Sequence, residues 1–161
     1  MYHVGDKVVY PMHGAGVIEA IEEKEILGDK RKYYILKFPF GGMKVMVPVN
    51  SAEDVGIREI MNCQECNKVI QLLNGAETEM PENWNHRYRA NMDKIRSGDV
   101  FALADVVRNL ILRDKEKGLS TGERKMLHNA KQILVSEMLL SGNVEEDEIE
   151  KIFEGIRCDS V

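Results

Sequence analysis

The sequence predicts an α+β chain, with a small β-barrel of SH3 or Tudor size over residues 1–52 and an all-α bundle over residues 53–161. Two observations carry this. Short β-rich runs punctuated by glycine are confined to the first fifty residues, and beyond Pro48 the apolar residues recur at helical spacing between recognisable start and stop signals.

Lys7-Val8-Val9-Tyr10 reads as a first strand, ended by Pro11 and the turn formers Gly14 and Gly16. Gly16 to Ile21 forms a second strand, which the charged run Glu22 to Ile26 extends at an edge. Leu27-Gly28-Asp29-Lys30 has the composition of a hairpin turn. Lys32 to Phe38 is the third strand, and Gly41-Gly42 turns the chain again. Met43 to Val47 alternates, with Met43, Val45 and Val47 on one face and Lys44 and Met46 on the other, until Pro48 stops it. Strands this short favour a closed or nearly closed barrel, because closure removes unpaired edges.

The helical part begins with a capping pattern at Ser51-Ala52-Glu53-Asp54, which predicts a short first helix. A second spans Cys63 to Leu73. Asn83 is placed to cap a helix starting at Trp84 and ending near Ser97-Gly98. Asp99 caps the next, whose Val100, Leu103, Ala104, Val107, Leu110 and Ile111 follow an i, i+3, i+4, i+7 pattern up to Lys117-Gly118. Ser120 and Glu123 form a capping box for a helix that stops near Gly142. Asn143, with Glu146 three residues on, opens a last short helix. There is no internal repeat and no low-complexity segment.

Composition bounds the function. Hydrophobic residues make up 43% and charged residues 30%, an ordinary globular balance. No apolar run approaches the ~18 residues that would span a bilayer, so no membrane partner is expected. The first residues lack a signal pattern and the cysteines, Cys63, Cys66 and Cys158, are odd in number; both fit a reducing, cytoplasmic setting. Cys63 and Cys66 have no second pair to complete a zinc site, and an irregular acidic stretch precedes them, so neither a metal nor a redox role is expected. His3, His13, His86 and His128 show no metal-binding spacing, Gly14-Ala15-Gly16 is too short for a nucleotide fingerprint, and Glu145 to Glu150 reads as a solvated helix start. Catalysis has no anchor: the chain reads as a non-enzyme without cofactor.

The net charge of −5 conceals an asymmetry. Residues 1–83 carry 9 Lys/Arg against 13 Asp/Glu, residues 84–131 carry 11 against 6, and residues 132–161 carry 2 against 8. A basic block in an acidic chain can meet phosphates locally. Its densest part, Trp84 to Asn91, interleaves His86, Arg87 and Arg89 with Trp84 and Tyr88, a composition suited to phosphate contact with base stacking or wedging. From spacing alone, Trp84 reads equally as a core anchor between helices. Arg124 and Lys125 add a second basic spot at a helix start, with a solubilising face as the alternative.

Val4-Gly5-Asp6-Lys7-Val8-Val9-Tyr10-Pro11-Met12-His13-Gly14-Ala15-Gly16 resembles the opening of the CarD/CdnL family, whose barrel is shared with the polymerase-binding module of the transcription-repair coupling factor. The resemblance continues through Asn83-Trp84, Arg87-Tyr88, Arg89-Ala90-Asn91, Ser97-Gly98-Asp99, Gly118-Leu119-Ser120, Glu123-Arg124-Lys125-Met126-Leu127 and Ala130-Lys131-Gln132-Ile133-Leu134. It implies a bacterial transcription regulator, nucleoid-associated through RNA polymerase; the oligomeric state is left open by the sequence, with a monomer expected. The barrel would bind the polymerase β subunit by strand addition. The helical domain would stabilise the open promoter complex at the upstream edge of the bubble, with Trp84 wedged into the minor groove. Arg89 and Arg124 match the family's basic positions near DNA. His86 stands where relatives can carry arginine. In the barrel, Lys24 matches a basic polymerase contact, Met46 replaces an arginine, and Lys44 on the same face can compensate. The competing reading is a protein-interaction module whose helical domain binds another factor instead of DNA.

Overall fold

The computed structural model describes residues 1–39 and 42–158, without the side chains of Arg157 and Cys158. Among these residues, five antiparallel strands form one sheet in the order β4-β3-β2-β1-β5: β1 Lys7–Tyr10, β2 Gly14–Ile26, β3 Asp29–Lys37, β4 Lys44–Pro48 and β5 Arg58–Glu59. Five α-helices follow among the same residues: α1 Cys63–Leu73, α2 Trp84–Arg96, α3 Val100–Glu116, α4 Thr121–Ser141 and α5 Glu146–Cys158. The predicted α+β class, β first and α second, is the observed one.

The sheet forms because its strands alternate. Val8, Ile18, Tyr34, Leu36 and Val47 point inward and share a core with Phe38, Ala52 and Ile57. Residues from β4 and from the approach to β5 thus meet in one core although these strands lie at opposite ends of the sheet, the arrangement of a nearly closed barrel. The β2–β3 hairpin turns on Leu27 and Gly28, both at positive φ (52° and 84°), as a two-residue hairpin turn requires. A register shift between Ile18 and Ala20 bends β2. The predicted Gly41-Gly42 turn lies partly outside the described residues, at Gly41.

Two expectations are corrected here. No α-helix begins at Ser51: Val49–Ser51 is a single 3-10 turn, and the chain then returns to the sheet as β5, pairing Arg58 with Val9. The sheet therefore extends past the expected division at residue 52. The last helix also begins later than Asn143, at Glu146, with the Ile149 N–H bonded to the carbonyl of Glu145.

The caps at Asn83, Asp99 and Ser120 form as predicted, each side chain accepting a backbone N–H two or three residues on, and Gly142 closes α4 in the left-handed conformation. The helices enclose a second core, with Val69, Leu73, Val106, Val107, Leu110, Leu134 and Met138 at its centre. The two cores are joined where α4 packs on β2 and β1. Arg58 places both terminal nitrogens on the Glu137 carboxylate at 2.8 and 2.7 Å, and the Met61 N–H donates to the same group at 2.8 Å. Glu137 is fully buried, so this ion pair ties the last strand to the C-terminal part of α4. Beside it the Ala15 N–H donates to Ser136 Oγ at 3.0 Å. Gly14 is required here: its φ is +107°, and a Cβ would lie 2.8 Å from Ser136 Oγ.

Candidate nucleic-acid interface

The N-termini of α2 and α4 come together at one corner of the helical domain. Asn83 accepts the His86 N–H and holds the first turn of α2, which brings out Trp84. The indole is 43% exposed, unusual for so large an apolar surface, yet it is held in place. Its ring stacks on Tyr88, one turn along, with centroids 5.1 Å apart and planes inclined by 25°. Its Nε1–H donates to Ser120 Oγ at 2.9 Å. The same hydroxyl accepts the Glu123 N–H and donates to the Glu123 carboxylate, each at 3.2 Å. One hydroxyl supplies one donor and two acceptor sites, so Ser120 is fully used, and one of its three bonds orients the tryptophan.

Beneath lies a buried ion pair. Arg87 Nε and Nη2 donate to Glu123 at 2.8 and 3.1 Å, and Nη1 donates to the Glu82 carbonyl at 2.8 Å. Both side chains are almost wholly excluded from solvent. Burial pushes the Glu123 carboxyl up, but the hydrogen bonds and charge of Arg87, with help from Ser120, outweigh it and hold the group below the usual carboxylate range. This corrects the expectation that Arg87 meets DNA. Its guanidinium is turned inward and occupied, so it fixes α2 against α4.

His86, Arg89 and Lys125 are exposed. Arg124 is 66% exposed, its Nε on the Leu119 carbonyl at 3.2 Å and Nη2 3.9 Å from Asp114. The two helix N-termini add their own partial positive charge. Much of the basic block turns inward instead. Arg108 is buried against Asp105, Asn109 and the Leu72 carbonyl, and Lys94 pairs with Asp105 at 2.8 Å. The count of 11 basic residues in 84–131 therefore overstates the free positive charge.

The sheet presents a different surface. Ladder pairing puts Lys44 opposite Lys37, Met46 opposite Ile35 and Lys24 opposite Arg31, so Lys24, Lys44 and Met46 share one face. Met46 is 40% exposed; Lys44 pairs with Glu19 at 3.0 Å and Lys24 with Glu22 at 3.5 Å. Because β4 ends the strand order, one side of its backbone pairs with no strand among the described residues.

Sequence reading missed the support of Trp84: the Tyr88 stack, the Ser120 bond and the inward Arg87. The four-residue spacing of Trp84 and Tyr88 was the available signal. Among the described residues, no group of three or more His, Cys, Asp or Glu is placed to hold a metal, and no helix is long and apolar enough to cross a membrane.

Residues 2–61 match the family model described as the CarD-like/TRCF RID domain, and residues 68–154 match that of the CarD C-terminal domain. YdeB of Bacillus subtilis (strain 168), named as a candidate transcription factor, is 39% identical over 149 residues, covering 92% of this chain and 97% of its own. The solution NMR structure of the N-terminal domain of Myxococcus xanthus CarD is 36% identical and covers 37% of this chain and 79% of its own, with a TM-score of 0.33. CdnLNt from the same organism is 37% identical over 38% of this chain and 86% of its own, with a TM-score of 0.32. With both halves matched in order and a relative aligned over nearly its full length, the chain belongs to the CarD-like family of transcription factors.

Proposed function

We propose that the chain docks on the RNA polymerase β subunit through the β4 edge and the Lys24, Lys44 and Met46 face, and stabilises the promoter open complex with the corner at Trp84. The observation that carries the reading is an exposed tryptophan held by a stack and a hydrogen bond. A loose aromatic would lose rotamer freedom on insertion between base pairs, whereas this one is already ordered. Exposed Arg89, Arg124, Lys125 and His86 supply the phosphate contacts, and Arg87 supports the corner from below. None of these forms a recognition-helix pattern, so binding to free DNA is weak, salt-sensitive and largely indifferent to sequence. Polymerase supplies the address: tethering by the sheet raises the local concentration of the helical domain at the promoter. Strand addition at β4 supplies main-chain hydrogen bonds, with Met46 and the two lysines as the selective side chains.

The action is a population shift. A factor that prefers the open complex moves the equilibrium by its differential affinity and no further. About 1.4 kcal/mol of wedge and phosphate contact gives a tenfold shift.

Photo-crosslinkers placed singly at Arg89 and Met46, both exposed, test the assignment of the two surfaces. In a promoter complex the Arg89 probe is expected to label DNA and the Met46 probe the β subunit. An Arg89 probe that labels only protein would transfer the helical domain to the protein-interaction reading.

A further inference from the structure

Cys63 and Cys66 open the helix predicted at this point, but the strand before it is one that the sequence did not show. The segment before them contains the short strand β5, and Cys63 is the first residue of α1, with Cys66 one turn later. Cys63 is exposed and Cys66 is 1% exposed. Neither family match, 2–61 or 68–154, includes this pair. An exposed thiol at a helix start, three residues before a buried one on the same side of the helix, divides the labour of a dithiol: the outer sulfur meets the reagent and the inner one resolves it. Burial pushes the Cys66 thiol up, and the proximity of Cys63 adds to this.

We propose that Cys63 and Cys66 form a reversible thiol–disulfide site whose co-substrate is a low-molecular-weight disulfide. The Cys63 thiolate attacks one sulfur of that disulfide; its S–S bond breaks, one thiolate leaves, and a mixed disulfide remains on Cys63. Cys66 then gives up its proton and attacks Cys63 Sγ, displacing the second thiolate. Two protein thiols are oxidised to one disulfide, one small disulfide is reduced to two thiols, and the two protons released by the protein end on those thiols.

The backbone permits the closure. Residues three apart on a helix have Cβ atoms about 5–6 Å apart, and a disulfide needs about 3.8 Å, so the first turn must tighten. The first turn is held by a capping box, Glu65 N–H on the Asn62 side chain and Asn62 N–H on Glu65, and the Cys66 N–H bond to the Asn62 carbonyl, 2.9 Å, must lengthen. The pair sits two residues beyond Met61, whose N–H is on Glu137, so oxidation acts on the turn adjoining the junction of sheet and helices.

The test uses the full chain carrying Cys158→Ser, equilibrated in buffers of reduced and oxidised glutathione, then trapped by alkylation and weighed by mass spectrometry, with circular dichroism confirming the fold. The expected result is joint loss of both thiols with a mass decrease of two hydrogens. Cys66→Ser, and Cys66→Ala should the former be unstable, is expected to halt at the mixed disulfide on Cys63. Cys63→Ser is expected to slow reaction at Cys66 at least about tenfold, as access is lost. A folded protein in which both thiols stay alkylatable, or in which Cys63 keeps its glutathione with Cys66 intact, overturns the proposal.

Discussion

At the corner of α2 and α4 the polar groups beneath Trp84 are bonded to one another, with the Arg87–Glu123 pair buried, whereas on the sheet face Lys24 and Lys44 meet exposed glutamates. The corner is ordered by side chains, through one ion pair, one hydroxyl and one ring stack. The sheet face is ordered by its backbone ladder, and its side chains can be changed without disturbing it. The two surfaces should therefore respond differently to substitution: stability and function are coupled at the corner and separable on the sheet.

The largest loss is expected of Glu123→Ala. It leaves the Arg87 guanidinium buried without its charge partner, for which about 3–5 kcal/mol is expected. Chemical denaturation should show that loss, with the midpoint falling and the slope unchanged. Arg58→Ala strands the buried Glu137 at the junction and is expected to cost about 3 kcal/mol. A loss under about 1 kcal/mol in either variant would mean that the pair is solvated in solution.

Acid probes the same pair without mutation. Glu123 and Asp105 are both held below the usual carboxylate range. At each site burial opposes the shift, and hydrogen bonds and charge from Arg87, or from Lys94 and Arg108, outweigh it. A depressed folded-state pKa gives stability that is fully present above the unfolded value, about 4.3 for Glu and 3.9 for Asp. That stability is lost as pH falls through the folded values below it. Tm should fall steeply below about pH 4.5, and Glu123→Gln should flatten the fall. An unchanged slope in that variant would assign the acid sensitivity elsewhere.

Ser120→Ala is a smaller test. It removes a helix cap, about 1 kcal/mol, and the hydrogen bond to Trp84. Indole fluorescence anisotropy is expected to drop because only the Tyr88 stack remains; unchanged anisotropy would mean that the stack alone orders the ring. On the sheet, Lys24→Ala and Lys44→Ala each remove an exposed ion pair and should change stability by less than about 0.5 kcal/mol while weakening polymerase binding in a salt-dependent way. A polymerase affinity that ignores both changes would move the contact off this face.

What was legible in the sequence follows the same division. Local features could be read directly: Asn83, Asp99 and Ser120 cap helices because each lies within three residues of the N–H it accepts. The strands of the sheet announced themselves by alternation and by turn residues such as Gly28. Features built from distant residues could not be read. Nothing local to Arg58 points to Glu137, and a two-residue strand such as β5 is too short to show a period. Arg87 looked like a phosphate contact because arginine is seldom buried, and only the folding of α4 against α2 supplies the Glu123 that permits it. Asn62 and Glu65 form a reciprocal capping box at the start of α1 that was overlooked although its spacing was plain. The placement of Trp84 was open between core and surface; the fold puts the ring at the surface with its edge anchored.

The most direct test of the central claim is the lifetime of the promoter open complex formed by the cognate RNA polymerase with no factor, with the wild-type chain and with Trp84→Ala. The wild-type chain is expected to lengthen the lifetime, and Trp84→Ala, folded and still bound to polymerase, to lose most of the gain, about fivefold to tenfold. A folded Trp84→Ala protein as effective as the wild type would rule out a tryptophan wedge.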